Sequence, residues 1–272
     1  MTGVPSLPVP ALHRWWRQLP LAWPLAKRDI MARYRGSLAG LAWALITPLA
    51  MLAVYALVFR GVFQARWGSA ADGEGYGYVL RLFAGLAVFT SVAEVATRAT
   101  RLIQDNANLV KRVVFPLDLL CVALLMQVAL HMLLQLAVLA LMIVVLGDGW
   151  RPSWLWLPLA LAWTLALQYA LALLLAAFGC YLRDLQHLVP VAMTGLMFLS
   201  PVFYPVQAAP PPLAFILSVN PLSAPIELFR MAWFGDAMNV EMALAQGLGL
   251  LAALVLAHWA FARLRPGFAD LV

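Results

Sequence analysis

Long apolar runs, separated by short polar or proline-broken stretches, set the pattern of this chain. Six runs stand out: Leu38–Phe59, Tyr78–Thr97, Leu119–Leu146, Trp154–Leu182, Leu188–Val206 and Met242–Ala262. A helix needs ~20 apolar residues to cross the ~30 Å hydrocarbon core of a bilayer. The pattern therefore predicts an all-α membrane protein with six transmembrane helices. The second run contains Arg81 and Glu94, both near its ends, where long side chains reach the headgroups. The third and fourth runs exceed the crossing length and must tilt or project.

The segments between the runs carry their own signals. In the N-terminal segment, residues 1–37, Pro5, Pro8, Pro10 and Pro20 limit helix over the first twenty positions. From Pro24 to about Tyr34 a short basic helix is expected, with Ala26, Ile30 and Tyr34 on one face and Arg28 and Arg35 on another. This reads as an amphipathic helix lying in the membrane interface, in preference to a plain basic topology anchor. The stretch Arg98–Pro116 is a connection long enough for a short helix outside the lipid, with Asp105 and Asn106 as cap or turn residues. After the fifth run, an apolar stretch is broken by Pro210, Pro211, Pro212, Pro221 and Pro225, so no part of it can cross. Short re-entrant helices are expected there, with a cap on the outer leaflet as the alternative. Residues 38–272 then form a single membrane domain.

Composition removes the soluble reading. The chain is 64% hydrophobic and 11% charged, against roughly a quarter charged in an ordinary soluble domain. The net charge of +6 could suggest nucleic acid, but the cations flank apolar runs, which fits membrane anchoring. No nucleic-acid partner is expected. Cys121 and Cys180 both fall inside apolar runs, so no disulfide framework is implied. Thirteen of the eighteen cations fall on one side of the six-span topology, among them Arg14, Arg17, Lys27, Arg98, Arg101, Arg183, Arg263 and Arg265. The positive-inside rule makes that side cytoplasmic and puts both termini there. Trp67, Trp150, Trp154 and Trp233 gather near the opposite ends, as an interfacial belt would.

Chemistry-bearing motifs are sparse. The chain has no Gly-x-x-x-x-Gly-Lys-Ser/Thr loop, no His-Glu-x-x-His, no Gly-x-Ser-x-Gly and no cysteine pair at metal spacing. It is not expected to be an enzyme or to hold a metal or cofactor of its own. Gln127, His131 and Gln135 share a face of the third run, and Thr164 and Gln168 repeat that spacing in the fourth. Hydrogen bonding between these two spans is the first expectation, and a pore lining the second. Trp43, Thr47, Met51, Tyr55 and Phe59 form a slowly turning line on the first run. Packing is the common fate of such a line, but flat aromatic faces also suit passage of sugar C–H groups.

Three stretches resemble a known family. They are Arg28-Asp29-Ile30-Met31-Ala32-Arg33-Tyr34-Arg35-Gly36-Ser37-Leu38-Ala39-Gly40-Leu41-Ala42-Trp43 at the entry to the first span, Asn106-Ala107-Asn108-Leu109-Val110-Lys111-Arg112-Val113-Val114-Phe115-Pro116 after the second, and Ser200-Pro201-Val202-Phe203-Tyr204-Pro205 followed by Asn220-Pro221-Leu222-Ser223-Ala224-Pro225-Ile226-Glu227-Leu228-Phe229-Arg230. In this order they resemble the permeases of polysaccharide-exporting ABC transporters (type-2 ABC exporter membrane subunits). O-antigen exporters are the nearest in pattern, with capsule and teichoic acid exporters close relatives. The resemblance implies a homodimer in the bacterial inner membrane, enclosing a channel for a lipid-linked polysaccharide. Two separate ATP-binding cassette subunits would bring the ATP and Mg. It maps an interfacial helix onto Pro24–Arg35, a coupling helix onto Arg98–Arg112, and gate helices onto Pro205–Pro225. Gln207–Pro212 departs from the family pattern. The implied ATPase-coupling residues are Asn106, Asn108, Leu109, Val110, Lys111 and Arg112. Arg28, Arg33 and Arg35 become candidates for a lipid diphosphate at the cytoplasmic entrance, since guanidinium groups bind phosphate oxygens bidentately. General attraction to anionic membrane lipids competes with that role. Trp43, Tyr55, Phe59, Phe203 and Tyr204 become candidate channel-lining residues. Two other classes stay open: a nucleotide-independent secondary transporter or lipid scramblase, drawing on Glu94, Asp118 or His131, and a membrane-embedded enzyme acting on a lipid-linked sugar.

Overall fold

The computed structural model describes residues 11–37, 39–62, 76–111, 116–146 and 149–271. Leu38, Arg66, Trp67 and Arg112 lie outside them. All regular structure among the described residues is helical. Along the chain, α1 (Ala11–Tyr34) leads to α2 (Trp43–Tyr55), which widens into a π-helical segment at Ala56–Val62. Helix α3 (Gly77–Ala99) is followed by two single turns, α4 (Leu102–Asp105) and α5 (Ala107–Val110). Long helices α6 (Asp118–Val145) and α7 (Leu157–Tyr181) come next. Then come three shorter helices, α8 (Leu185–Phe198), α9 (Pro211–Val219) and α10 (Ser223–Phe234). Helix α11 (Val240–Leu264) and a last turn, α12 (Phe268–Leu271), close the fold.

Among the described residues, four stretches are long and apolar enough to cross a membrane: Gly77–Ala99, Asp118–Val145, Pro152–Tyr181 and Val240–Leu271. The count becomes five if α9 and α10, bent by 93° at their junction, are taken as one span. Trp43–Phe59 and Leu185–Phe198 are apolar but shorter. At 1.5 Å per residue, α8 covers only about 21 Å.

Helix α3 is the axis of the molecule, with 83% of its most apolar stretch buried. It packs against α6, α7, α8 and α10. Ala84, Gly85, Ala87, Ala96 and Ala99 keep it slim enough for that, while Leu82, Phe83, Val88, Val92 and Val95 fill the gaps. Helix α11 is the opposite case, buried over 22% of its stretch and seated on α7. Its Leu244, Leu248, Leu251 and Val255 point outward along one stripe, as lipid-facing residues would. Two backbones meet closely at Gly179 of α7, where a Cβ would stand 2.1 Å from the Thr100 carbonyl oxygen.

Helices α3, α6, α7 and α11 begin and end within a few residues of the apolar runs Tyr78–Thr97, Leu119–Leu146, Trp154–Leu182 and Met242–Ala262. Three expectations need correction. Helix α1 begins at Ala11, not Pro24, and runs through Pro20 and Pro24. Both prolines are exposed, opposite the buried face of Ala22, Ala26 and Ile30, so the carbonyls they free point away from the packed seam. The connection after α3 is not one helix but two turns, split at Asn106, whose side-chain amide donates to the Leu102 carbonyl at 2.9 Å. The fifth run stays helical only to Phe198, eight residues before its expected end at Val206.

Candidate functional site

Two polar constructions lie at opposite ends of the bundle. The first joins α1 to α3 and α6. Ala22 and Ala26 of α1 nest against Leu119 and Ala123 of α6. That seating brings Arg33 down onto α3, where its guanidinium lies 3.0 Å from Glu94 Oε1. Arg98, one turn along α3, reaches the same oxygen at 3.1 Å. Its other terminal nitrogen donates to Gln127 Oε1 at 2.5 Å. The Gln127 amide donates in turn to Asp29 at 3.1 Å, and Asp29 also takes Arg28 Nε at 2.9 Å. Arg33 also lies 3.2 Å from His131 Nδ1, which is placed to accept. Three helices thus share one chain of charge-assisted hydrogen bonds. Beside it opens a polar cavity of about 390 Å³, lined by Arg28, Asp29, Arg98, Arg101, Asp105 and Asn106 among others.

Of the expected diphosphate ligands, Arg28 and Arg33 are therefore engaged by carboxylates of the chain itself, and Arg35 is exposed apart from them. Arg98 and Arg101 were not among the candidates, although both face this cavity. Their spacing after Glu94 was the available signal, since Arg98 follows it at i+4 on a helix.

The turns α4 and α5 lie at the same end. Ile103 and Val110 are buried beneath them with Phe268 of α12. Gln104 anchors the turns by donating to the Gly179 carbonyl at 3.1 Å. Among the expected coupling residues, Asn108 and Lys111 are exposed, Asn106 and Leu109 are half-buried, and Val110 faces the core. Arg112 lies outside the described residues.

The polar faces of α6 and α7 do not pair as expected. Gln168 of α7 donates to Ser91 of α3 at 2.9 Å, and Gln127 of α6 turns toward α1. Thr164 bonds its own helix, to the Ala160 carbonyl at 2.9 Å. The α6 and α7 faces thus serve different neighbours rather than each other.

At the far end, α8 gives way to an irregular segment in which six successive carbonyls find partners without a helix. The Phe198 carbonyl accepts from Tyr204 Oη at 2.9 Å, Leu199 from Asn220 Nδ2 at 3.0 Å, and Ser200 from the Val202 N–H at 2.7 Å. The Pro201 carbonyl accepts from Arg230 Nη1, that of Val202 from Arg230 Nη2 at 2.6 Å, and that of Phe203 from Tyr78 Oη at 2.9 Å. Irregular backbone at membrane depth survives only where its polar groups are satisfied in this way. Gln246 of α11 does the same for the α9–α10 bend, accepting from Ala224 N–H at 2.9 Å and donating to Ser218 and Leu217 carbonyls at 3.0 and 3.2 Å. Arg81 closes the region with a two-pronged pair to Asp236, its Nε 2.9 Å from Oδ2 and its Nη2 2.9 Å from Oδ1.

Aromatic rings run up to this break. Tyr55 and Phe59 lie 6.5 Å apart between ring centres, and Phe59 and Tyr78 5.5 Å. Tyr78 then holds Phe203, which stacks on Phe198 at 5.5 Å. Three of the five expected lining residues, Tyr55, Phe59 and Phe203, thus belong to one run. Tyr204 supports it through the Phe198 carbonyl, while Trp43 is exposed and apart. Tyr78 and Phe198 complete the run and were not anticipated; Tyr78 stands at the first turn of its span, where an interfacial aromatic is unremarkable in sequence. Beside α2, an apolar groove of about 790 Å³ opens among Leu49, Leu52, Ala56, Val79, Leu80 and Met142.

Comparison with known proteins extends across most of this framework. The family model described as ABC-2 type transporter matches residues 20–234, from α1 through α10. The chain is 24% identical over 218 residues to the O-antigen export system permease protein RfbA of Klebsiella pneumoniae, covering 80% of this chain and 81% of that protein. It is 27% identical over 202 residues to the protein of the same name from Myxococcus xanthus, covering 73% and 74%. It is 24% identical over 208 residues to the polysialic acid transport protein KpsM of Escherichia coli, covering 75% and 78%.

Proposed function

The chain belongs to the ABC-2 type transporter family, and from that premise we propose that it is the membrane subunit of an ATP-driven exporter of a lipid-linked, O-antigen-like polysaccharide. The observation that carries the reading is the match to polysaccharide-transport proteins over about four-fifths of both lengths. Two copies enclose the channel in the inner membrane. Each contributes six spans: α2 with its π-helical extension, α3, α6, α7, α8 with the segment after it, and α11. Helices α9 and α10 form a re-entrant pair at the outer end. Their lengths support this, since nine and twelve residues reach about 14 and 18 Å at 1.5 Å per residue, short of the ~30 Å core.

Two ATP-binding cassette subunits, carrying ATP and Mg, dock on α4 and α5 from the cytoplasm. Asn108, Leu109 and Lys111 form the contact, Asn106 and Val110 support it from beneath, and Arg112 continues it. The substrate's diphosphate enters beside α1, where Arg28, Arg33 and Arg35 receive it after Asp29 and Glu94 yield their guanidinium partners. The glycan then slides along Tyr55, Phe59 and Phe203, with Trp43 and Tyr204 at the margins. Flat aromatic faces suit this task because conduction requires attraction weak enough for release at each step. The ion-pair partners of Glu94 also weaken the secondary-transporter reading, because that carboxylate is already held by Arg33 and Arg98.

The test is affinity purification of the tagged chain from its native membrane under mild detergent. An ATP-binding cassette protein should copurify at one per copy, and the preparation should hydrolyse ATP. A pure, folded chain that recovers no ATPase would refute the proposal. The polysialic acid relative favours a second polymer class, a capsule-type chain; analysis of the glycan copurifying with a hydrolysis-deficient complex separates the two.

A further inference from the structure

We infer that Arg230 is a positioning residue that holds the outer end of the path shut, by lending the broken end of α8 the hydrogen bonds its helix gives up. The inference rests on the export reading for its purpose, but the clamp is defined by geometry alone. Arg230 is 3% exposed, although it carries a long cationic side chain. All three of its guanidinium nitrogens donate to main-chain carbonyls: Nε to Arg81 at 3.2 Å, Nη1 to Pro201, and Nη2 to Val202 at 2.6 Å. One planar group therefore ties α10, on which it stands, to α3 and to the irregular segment after α8.

The site is shaped for a guanidinium. A Cβ on Gly85 of α3 would stand 2.8 Å from Arg230 Nη2, so a side chain at position 85 would push the guanidinium out of its place. The other side-chain donors to the segment, Tyr204, Asn220 and Tyr78, each secure a single carbonyl, those of Phe198, Leu199 and Phe203. Arg230 secures two adjacent carbonyls and joins them to α3, so it decides whether the segment and α10 move as one body. Phe203 lies directly beyond the clamped carbonyls and stacks on Phe198. While the clamp holds, that ring stays in the aromatic run; when it lets go, the run parts and the outer end opens. A lysine cannot take over, since an ammonium lacks the fixed fork that spans three acceptors at once.

The test places a reporter thiol inside the clamp with Val202→Cys, a site that is 0% exposed. The full chain in nanodiscs is treated with a hydrophilic maleimide, and the native Cys121, buried in α6, serves as the internal control. With Arg230 intact, the introduced thiol should react slowly. With Arg230→Lys, its reaction should quicken at least tenfold while Cys121 stays protected. Gly85→Ala should quicken it as well, because it displaces the guanidinium without removing a donor, and it decides the matter if the lysine variant does not insert. Unchanged reactivity in the inserted variants overturns the clamp, and so does equal quickening at Cys121, which would mark general loosening. Labelling needs no transport, so a clamp that opens as expected in a chain that exports no polysaccharide would refute the export reading alone.

Discussion

At Gly179 two backbones meet with nothing between them. A Cβ there would overlap the Thr100 carbonyl oxygen at 2.1 Å, and no rotamer change can relieve a clash with main chain. Gly179→Ala should therefore destabilise the folded chain by ~1–3 kcal/mol, the usual cost of overpacking, read as an earlier thermal transition in detergent. Gly195 of α8 is the matched control: a Cβ there meets nothing within 4 Å, so Gly195→Ala should leave the transition unchanged or raise stability by ~0.5–1 kcal/mol. Asp236→Asn offers a second reading at this scale. Arg81 and Asp236 are both largely buried, and loss of the charged acceptor should cost ~1.5–3 kcal/mol. An unshifted transition would mean that water already substitutes for the carboxylate. The roles of single residues were the least legible part of the sequence. Arg28, Arg33 and Arg35 read alike on a basic helix, yet Arg33 alone reaches Glu94, because only its position faces α3 once Ala22 and Ala26 seat α1 on α6.

The turns α4 and α5 behave as an element with two faces, and the faces should fail differently. Asn108→Ala with Lys111→Ala removes exposed groups, so the chain should insert and melt normally while ATP hydrolysis and export become uncoupled. Val110→Ala cuts into the cluster shared with Ile103 and Phe268 and should lower stability instead. Hydrolysis and export measured side by side check both, and normal export in the double variant would contradict the docking role. Element positions were legible wherever apolar length decided them, as in α3, α6, α7 and α11. The end of α8 was not, because Leu199–Pro205 follows the apolar run without a charge and only distant groups, Asn220, Arg230 and Tyr78, make its break tolerable. Helix α1 was hidden for a similar reason. Pro20 reads as a breaker and Pro24 as a helix start, and it takes the fold to show that both sit on an exposed face inside one helix.

At the scale of the whole molecule, the proposed route across the membrane runs from the polar network at one end, along the aromatic run, to the clamped break at the other. The proposed orientation draws on cation placement, since Arg28, Arg98, Arg101, Arg183 and Arg263 all fall in segments that the six-span reading puts on the cytoplasmic side. Reporter fusions after Arg66, Val110, Trp150 and Leu185 should read outside, inside, outside and inside, and two reversed signals would break the six-span arrangement. The proposed outward transport of a lipid-linked polysaccharide is tested most directly by the sidedness of that substrate. Membrane vesicles of known orientation should be prepared from cells depleted of the chain and from cells in which it is restored. Lipid-linked glycan is then measured by its accessibility to an impermeant glycan-cleaving enzyme. Export by this chain means that depletion traps the polymer on the cytoplasmic leaflet and that restoration moves it outside only when ATP is present. Outward transfer that continues unchanged in depleted cells, or that proceeds without ATP, would contradict it.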